Sequence, residues 1–588
     1  MTATALPAAD PPKLKMKQGN NLAMLIRQPV LLVTILLVFA VLFIFVVLPM
    51  ITVFQLSFTT EEGGFSIQPL IDILTSDKGG YPSYRATFWN SMLLGVIVAI
   101  CATAVGYLFA FATTRTEMRG KRFFDLVATL PIISPPFVLS LSIIFLFGKQ
   151  GMITNGMFGI DDFEVKGLGG LVLVQSLSFF PVAYLTLRGI LESIDDSVED
   201  AAFSMGASRG HIFRTVTLPL SLPGIISAVL LVFIQSLEDF SNPAVIGGGY
   251  STLAVEAYRV ITGMNDTITG GMLAIILLLP TVAAYLFQKY WLRKKSFVTV
   301  SGKPTQVRRK LHEKHIVYPL FAACAIVTAL VFMFYGTVLF GAFVKVWGIN
   351  YEFTLEHFAY VFTLGADALL NSVELAAISA PIGGVLGMVI AYLTVRQRFP
   401  GRKLMAISSM LTFAIPGIVA SIGFMYTFNH QPLLLQGTAI ILVAMFTFRN
   451  IPVAIESGTT TLLSIDPCIE EASTISGADT GYTFRRVILP MRRNAFFSGL
   501  VYSFVRAMTA VSAIIFLISP KWSLATSKVF ALFESSKFSE AAAFVMVLIV
   551  IIFIAIGVIQ TIVNILLKPK AKAPEAAEIK LALSEGEK

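Results

Sequence analysis

Twelve stretches of this chain are apolar for most of their length, and short polar or basic segments separate them. They fall near residues 30–54, 88–113, 124–147, 169–189, 222–246 and 270–292, then near 317–343, 367–395, 405–428, 437–454, 495–518 and 540–567. The hydrocarbon core of a bilayer is about 30 Å thick and a helix rises about 1.5 Å per residue, so about 20 apolar residues cross it. Each stretch is long enough, or nearly so. The pattern predicts an all-α, polytopic membrane protein with about 12 transmembrane helices. Pro131, Pro135, Pro136 and Pro416 fall within the third and ninth spans, where they favour bent helices.

Composition agrees with the pattern. A soluble domain carries about 25% charged residues; here 13% of the 588 residues are charged and 56% are hydrophobic, with a mean hydropathy of +0.79. That leaves too little polar surface to face water all round. The net charge of +9 is not spread as a nucleic-acid surface. It gathers in short loops: Arg115, Arg119, Lys121 and Arg122 after span two, Arg396, Arg398, Arg402 and Lys403 after span eight, and Arg293 to Lys295 with Arg308 to Lys310 between spans six and seven. Lys568, Lys570 and Lys572 follow the last span. Counting from a cytoplasmic N-terminus puts all four groups on one side, which the positive-inside rule makes the cytoplasm. Loops of the other side are mixed or acidic, as at Glu61, Glu62, Asp161, Asp162 and Glu164. Both termini are expected inside, and the first span reads as retained rather than cleaved, being too long for a signal segment. Cys101, Cys324 and Cys468 stand far apart and form neither a metal spacing nor a disulfide framework.

The chain repeats itself. At an offset of 281, Asn90-Ser91 matches Asn371-Ser372, Gly106 matches Gly387, Ala110 matches Ala391, Arg115 matches Arg396, Gly120 matches Gly401, Pro135 matches Pro416 and Ser140 matches Ser421. At an offset of 271, Ser193–Pro219 aligns without gaps to Ser464–Pro490, with 13 of 27 positions identical; average residue usage would give about two. Equivalent loops carry the same charge bias, so the two six-span halves point the same way. Such parallel repeats are related by an axis along the membrane normal, with a pathway between them. The expected layout is a cytoplasmic N-terminal segment 1–29, a first half 30–293, a cytoplasmic linker 294–315, a second half 316–568 and a disordered cytoplasmic tail 569–588.

The aligned segments are the sharpest motif. Asp195 and Asp466 fit helix N-caps and Pro467 a first helical position. Val198, Ala201, Ala202 and Met205 share one helical face, as do Ile469, Ala472, Ser473 and Ser476. Glu199, Asp200, Glu470 and Glu471 sit near the helix start, where its dipole favours acids. Gly206 and Gly477 end the helix. Ser208 and Asp479 can cap a second short helix that is expected to stop at Pro219 or Pro490.

These segments resemble the EAA loops of the permeases of ABC importers, read here as Asp200-Ala201-Ala202…Gly206…Leu218-Pro219 and Glu471-Ala472-Ser473…Gly477…Leu489-Pro490. The first copy has Asp200 for the glutamate and the second has Ser473 for an alanine. The resemblance implies a type I ABC-importer fold in which each loop forms a coupling helix seated on one ATPase subunit. Glu199, Asp200, Ala201, Ala202 and Gly206 would meet one nucleotide-binding subunit, and Glu470, Glu471, Ala472, Ser473 and Gly477 the other. It also implies a soluble periplasmic binding protein, with ATP and magnesium held by the partner subunits and no cofactor on this chain. The fused layout, Leu237–Pro243 and Val505–Ala513 look most like ferric-iron permeases of the Fbp/Afu type.

No phosphate-binding loop is present: Gly120-Lys121, Gly148-Lys149 and Gly302-Lys303 continue with Arg, Gln and Pro. No nucleophile with a positioned base is evident, so the chain is not expected to be an enzyme. Ferric ion prefers hard oxygen ligands, and the candidate pathway acids are Glu238, Asp239 and Glu374, since carboxylates within spans are costly and often functional. Neither end of the repeat answers them with an acid: Leu93 stands opposite Glu374, and Thr509 and Ala510 opposite the pair. No metal site is assigned. Thiamine, 2-aminoethylphosphonate, polyamine and sugar-phosphate stay open as substrates. An ion-coupled secondary transporter is the reading of another class; it has no need of two matched docking loops.

Overall fold

The computed structural model of the chain describes residues 28–59, 64–75, 83–160, 163–291, 310–463, 467–477, 482 and 493–567. Asp161, Asp162, Glu61, Glu62, Asp466, Asp479, Pro490, nearly all of the N-terminal segment, most of the linker and the tail lie outside the described residues. The first half runs through α1 (Pro29–Phe58), α2 (Tyr84–Arg115), α3 (Lys121–Ile133), α4 (Phe137–Phe147), α5 (Leu168–Ser193), α6 (Asp196–Ser204), α7 (Arg209–Glu238), α8 (Ser241–Ile246) and α9 (Thr267–Trp291). The second half has α10 (Lys314–Ala342), α11 (Ala366–Arg396), α12 (Arg402–Leu411), α13 (Gly417–Thr427), α14 (Ala439–Leu463), α15 (Pro467–Ile475), α16 (Arg493–Met508) and α17 (Phe538–Leu567). A two-stranded hairpin, Val344–Val346 with Asn350–Phe353, follows α10.

Nine helices among the described residues are long and apolar enough to cross a bilayer, and α3 with α4 makes a tenth if the bent pair is one span. The shortfall from twelve has local causes. In the third span of each half the helix breaks where the prolines stand. Helix α3 ends at Ile133 and α4 begins at Phe137, the two bent by 100°. Helix α12 ends at Leu411 and α13 starts after Pro416. A proline removes a donor and clashes with the preceding turn, and backbone freed in this way is tolerated at membrane depth only where protein buries it. The fifth span of the second half, α16, is 16 residues long as described, ending at Met508, whereas its counterpart α7 is counted among the nine.

The second short helix of the first motif does not stop at Pro219. The chain runs from Arg209 to Glu238 without interruption, through one wide turn at Phe213–Thr217 in which Leu218 N–H reaches back to Phe213 O. A wide turn skips one donor in the ladder, and Pro219, which has none to offer, sits beside it.

Residues matched by the repeat play matched roles. Ser91 Oγ accepts from Leu253 N–H at 2.8 Å, and Ser372 Oγ accepts from Ala525 N–H at 2.8 Å; each holds the start of a short helix at the end away from the basic loops. Arg115 donates to Leu191 O at 2.8 Å, and Arg396 donates to Leu462 O at 2.9 Å. Gly120 and Gly401 start α3 and α12 with φ of +75° and +86°, a backbone that favours glycine.

The halves interlock by exchanging first helices. Helix α1 lies against the third and fourth spans of the second half: Phe45 stacks on Phe448 at 5.0 Å, and Thr427 donates to Thr52 Oγ1 at 2.8 Å. Helix α10 and the hairpin after it lie against the third span of the first half. Ser142 Oγ donates to Phe334 O at 2.7 Å, Trp347 Nε1 donates to Phe145 O at 3.1 Å, and the Trp347 and Phe145 rings stack at 4.2 Å.

Within each half the second and fourth spans touch backbone to backbone. A Cβ on Gly106 would lie 2.7 Å from Ala183 Cβ and 2.8 Å from Tyr184 N; one on Gly387 would lie 2.4 Å from Ala454 Cβ. Small residues permit this approach between membrane helices. Gly106→Leu and Gly387→Leu are each expected to destabilise the bundle by about 3 kcal/mol or more. Gly189→Ala, with nothing within 4 Å of the new methyl, is expected to leave it unchanged or slightly more stable. Thermal unfolding of the purified chain in detergent checks the contrast.

Candidate functional site

Two features stand out: a pair of short helices on the basic side, and a charged cluster about half-way through the bundle. The first helix, α6, is built as its sequence requires. Asp195 caps it, accepting from Ser197 N–H at 3.0 Å. Gly206, at φ +87°, closes it with Ala207 N–H bonded to Ala202 O at 3.1 Å, the wrap expected of a left-handed C-terminal glycine. Ser208 Oγ then accepts from His211 N–H at 3.3 Å and starts α7.

The acids of α6 do not all face outward. Glu199 points back into the bundle, accepting from Thr217 Oγ1 at 2.8 Å and lying 3.7 Å from Arg115 Nη1. It braces the loop against the end of α2, because one turn into the helix its side chain lies over the start of the neighbouring span. Asp200 and Ala202 are half-buried, while Ala201 and Gly206 are exposed. The apolar face seen in the sequence is uncovered: Val198 is exposed and Met205 is 83% exposed.

Helix α15 repeats this arrangement. Glu470, Glu471, Ala472 and Ser473 lie on it, and Gly477 closes it at φ +84°. Ile469 and Ala472 are exposed, and Ile475 is 87% exposed. Exposed apolar groups on a helix outside the bilayer mark an interaction surface.

The charged cluster joins the halves. Glu238, at the end of α7, meets Arg449 of α14 at 2.7 Å between Oε2 and Nη2, with side chains 14% and 18% exposed. Arg449 also donates to Thr412 O at 3.1 Å and to Ile415 O. Those carbonyls are free because α12 has ended there and Pro416 brings no N–H. Arg449 stands ten residues after Ala439, the first residue of α14, about 15 Å along the helix, which places the pair near mid-depth. Arg506 of α16 is exposed and adds a second positive field at Glu238. Glu238 Oε1 and Gln235 Oε1, one turn apart on α7, are buried without a hydrogen-bond partner. The repeat supplies no second copy: Ser178, Thr509 and Gln235 stand where Arg449, Glu238 and Arg506 would be expected.

Asp239 is placed beside Glu238 but serves the fold. It accepts from Ser241 N–H at 3.0 Å, Asn242 Nδ2 at 2.7 Å and Gln175 Nε2 at 2.8 Å, capping α8. Ser236 donates to Gln175 Oε1 at 2.6 Å, and Ser140 to Asn242 Oδ1 at 2.6 Å. Buried carboxylates satisfied in this way fix a backbone. Glu374 is not brought to the pair. It is exposed and shares a stripe of α11 with exposed Leu370, Ile378 and Ile382. Sequence reasoning missed Arg449, although a lone arginine inside an apolar run is itself a signal. Arg506 was visible only within a longer resemblance. Asp239 followed by Ser241-Asn242-Pro243 is a readable cap pattern.

Residues 102–296 and 383–573 each match the family described as binding-protein-dependent transport system inner membrane component. A ferric transport system permease protein of Actinobacillus pleuropneumoniae is 32% identical over 585 residues, covering 98% of this chain and 83% of that protein. An Fe(3+)-transport system permease protein of Haemophilus influenzae is 25% identical over 438 residues, 73% of this chain and 80% of its own length. A molybdenum transport system permease protein of Escherichia coli is 34% identical over 159 residues, 26% of this chain and 69% of that protein.

Breaking a buried pair by removing one partner costs about 3–5 kcal/mol, whereas replacing both costs far less. Arg449→Ala is therefore expected to destabilise the chain by about that much, and the double variant Glu238→Gln with Arg449→Gln to recover most of it. A double-mutant cycle on thermal unfolding in detergent measures the coupling.

Proposed function

The chain belongs to the family of binding-protein-dependent transport system inner membrane components, and from that premise we propose that it carries ferric iron from the periplasm to the cytoplasm, driven by ATP hydrolysis on separate subunits docked at α6 and α15. Its two fused halves each match the family, so one chain does what two permease subunits would do together. It is a multi-pass membrane protein of a bacterial transport family, which we place in the inner membrane with both termini and both docking loops in the cytoplasm.

The observation that carries the docking assignment is the matched pair of loop helices. Each closes on a glycine at positive φ and leaves apolar side chains, Val198 and Met205 or Ile469 and Ile475, exposed on the basic side. One ATP-binding subunit on each would cover them. Glu199, tied to Thr217 and Arg115, makes α6 a rigid extension of α2 and α7, so a pull on the loop reaches the spanning helices directly.

The Glu238–Arg449 pair gives the halves a polar contact near mid-depth. In our reading it closes the pathway in one state. ATP binding draws α6 and α15 together, the halves rock, and the contact opens toward the outside; hydrolysis restores it. The family name implies a periplasmic binding protein, to which we assign the selection of iron. Iron itself is supported by the ferric permease relatives, one of which covers nearly the whole chain.

Asp200→Lys together with Glu471→Lys is expected to abolish co-purification of the ATP-binding subunit and to lower iron uptake by at least about tenfold, the effect of losing about 1.4 kcal/mol or more of docking energy. Membrane insertion should be unaffected. Retained uptake with the ATPase still bound would remove the docking assignment, and normal docking with transport of a different ligand would remove iron alone.

A further inference from the structure

On the basic side of the first half lies a cavity of about 490 Å³, lined chiefly by Lys121, Asp125, Arg188, Glu192 and Lys310. Arg188 answers both of its carboxylates, with Asp125 Oδ1 at 3.3 Å and Glu192 Oε1 at 3.0 Å; Tyr184 donates to Asp125 as well. The two lysines are left over. Lys121 Nζ is buried with no hydrogen-bond partner, and Lys310, whose charge acts on it across the cavity, makes no ion pair with any described residue. Among the lining residues three cations stand against two carboxylates; Glu117, whose charge also acts on Lys121, lies outside the lining, 2.8 Å from His312 Nδ1. A buried ammonium without an acceptor is costly, as is a like charge beside it.

The fold does not require these residues, and the repeat is the control. In the second half the same positions hold Arg402, Ala406, Thr459 and Leu463 in place of Lys121, Asp125, Arg188 and Glu192, and Arg402 is exposed. The same helices thus pack without the cavity's charges. Lys310 comes from the end of the linker, whose described residues bond to the first half. Leu311 N–H bonds to Arg115 O at 2.9 Å, Glu117 N–H bonds to Leu311 O at 3.0 Å, and Glu313 lies 2.9 Å from Arg209 Nε.

We propose that this cavity binds a phosphate-type anion held between Lys121 and Lys310. Two compact ammonium groups suit phosphate oxygens. A soluble phosphate compound or the headgroup of an anionic lipid in the adjoining leaflet would present the same chemistry. Since Arg209 begins α7 just after the docking helix α6, an anion here ties the linker to one docking loop and not to the other.

The test uses the full chain in nanodiscs and reads binding, so its outcome is independent of what is transported. One arm titrates inorganic phosphate into phosphatidylcholine discs; the other replaces part of the lipid by phosphatidylglycerol with no phosphate added. Thermal unfolding and native mass spectrometry are read for the unaltered chain, Lys121→Gln, Lys310→Gln and the double variant. Without anion, the double variant should melt at the same or a higher temperature than the unaltered chain. The active probe should reverse that order and bind the double variant at least about tenfold more weakly. A response to phosphate alone identifies a soluble ligand, and a response to phosphatidylglycerol alone a lipid. Lys310→Gln, outside the spans, keeps the comparison available if Lys121→Gln fails to insert. If neither probe shifts the unaltered chain more than the variants, the site is overturned.

Discussion

A carboxylate carried half-way across a bilayer has to be neutralised there, and Glu238 finds its partner, Arg449, in the other half of the chain. The constraint works in both directions. Arg449 in turn depends on two carbonyls that exist only because the third span of the second half breaks at Pro416. The proline break, the arginine and the glutamate are one unit, and it sits between two bodies related by an internal repeat. In hydrocarbon such a contact is either made or replaced by something equally polar. A change in how the halves meet must therefore pass through it.

Around that contact the two halves are alike in scaffold and unlike in charge. Matched residues do matched work: Ser91 and Ser372 hold helix starts, Arg115 and Arg396 clasp the ends of the fourth spans, and Gly106 and Gly387 let helices touch. The exchanged helices α1 and α10 tie the two bodies together on their flanks. The charged groups break the symmetry. Glu238 belongs to one half, Arg449 and Arg506 to the other, and the lysine cavity to the first alone. A fused chain permits this, because each half can specialise without a second copy inheriting the change.

Much of the architecture was legible because periodicity and repeats survive in the sequence at low resolution. The offsets of 281 and 271 recur in the helices themselves, α2 with α11 and α5 with α14. The caps Asp195 and Ser208 and the left-handed Gly206 and Gly477 follow from local chemistry, and they are where that chemistry puts them. What the sequence hid is tertiary. Glu199 looks like its neighbours in the string, yet a partner eighteen residues away turns it inward. Pro219 looks like a stop, yet a wide turn absorbs it. Asp239 and Glu238 are adjacent, and only the fold separates a cap from an inter-half contact. Glu374 has the same residue type as Glu238, yet it stays exposed while Glu238 is largely buried against Arg449.

The proposed lever arrangement is tested most directly by the distance between α6 and α15. Spin labels at Ser197→Cys and at the native Cys468, matched and exposed positions at the starts of α6 and α15, can be followed by pulsed electron resonance in the assembled transporter without nucleotide, with ATP and after hydrolysis. The separation should shorten when ATP binds and return once it is hydrolysed. A distance distribution that stays the same through the cycle, while substrate still crosses, would contradict it.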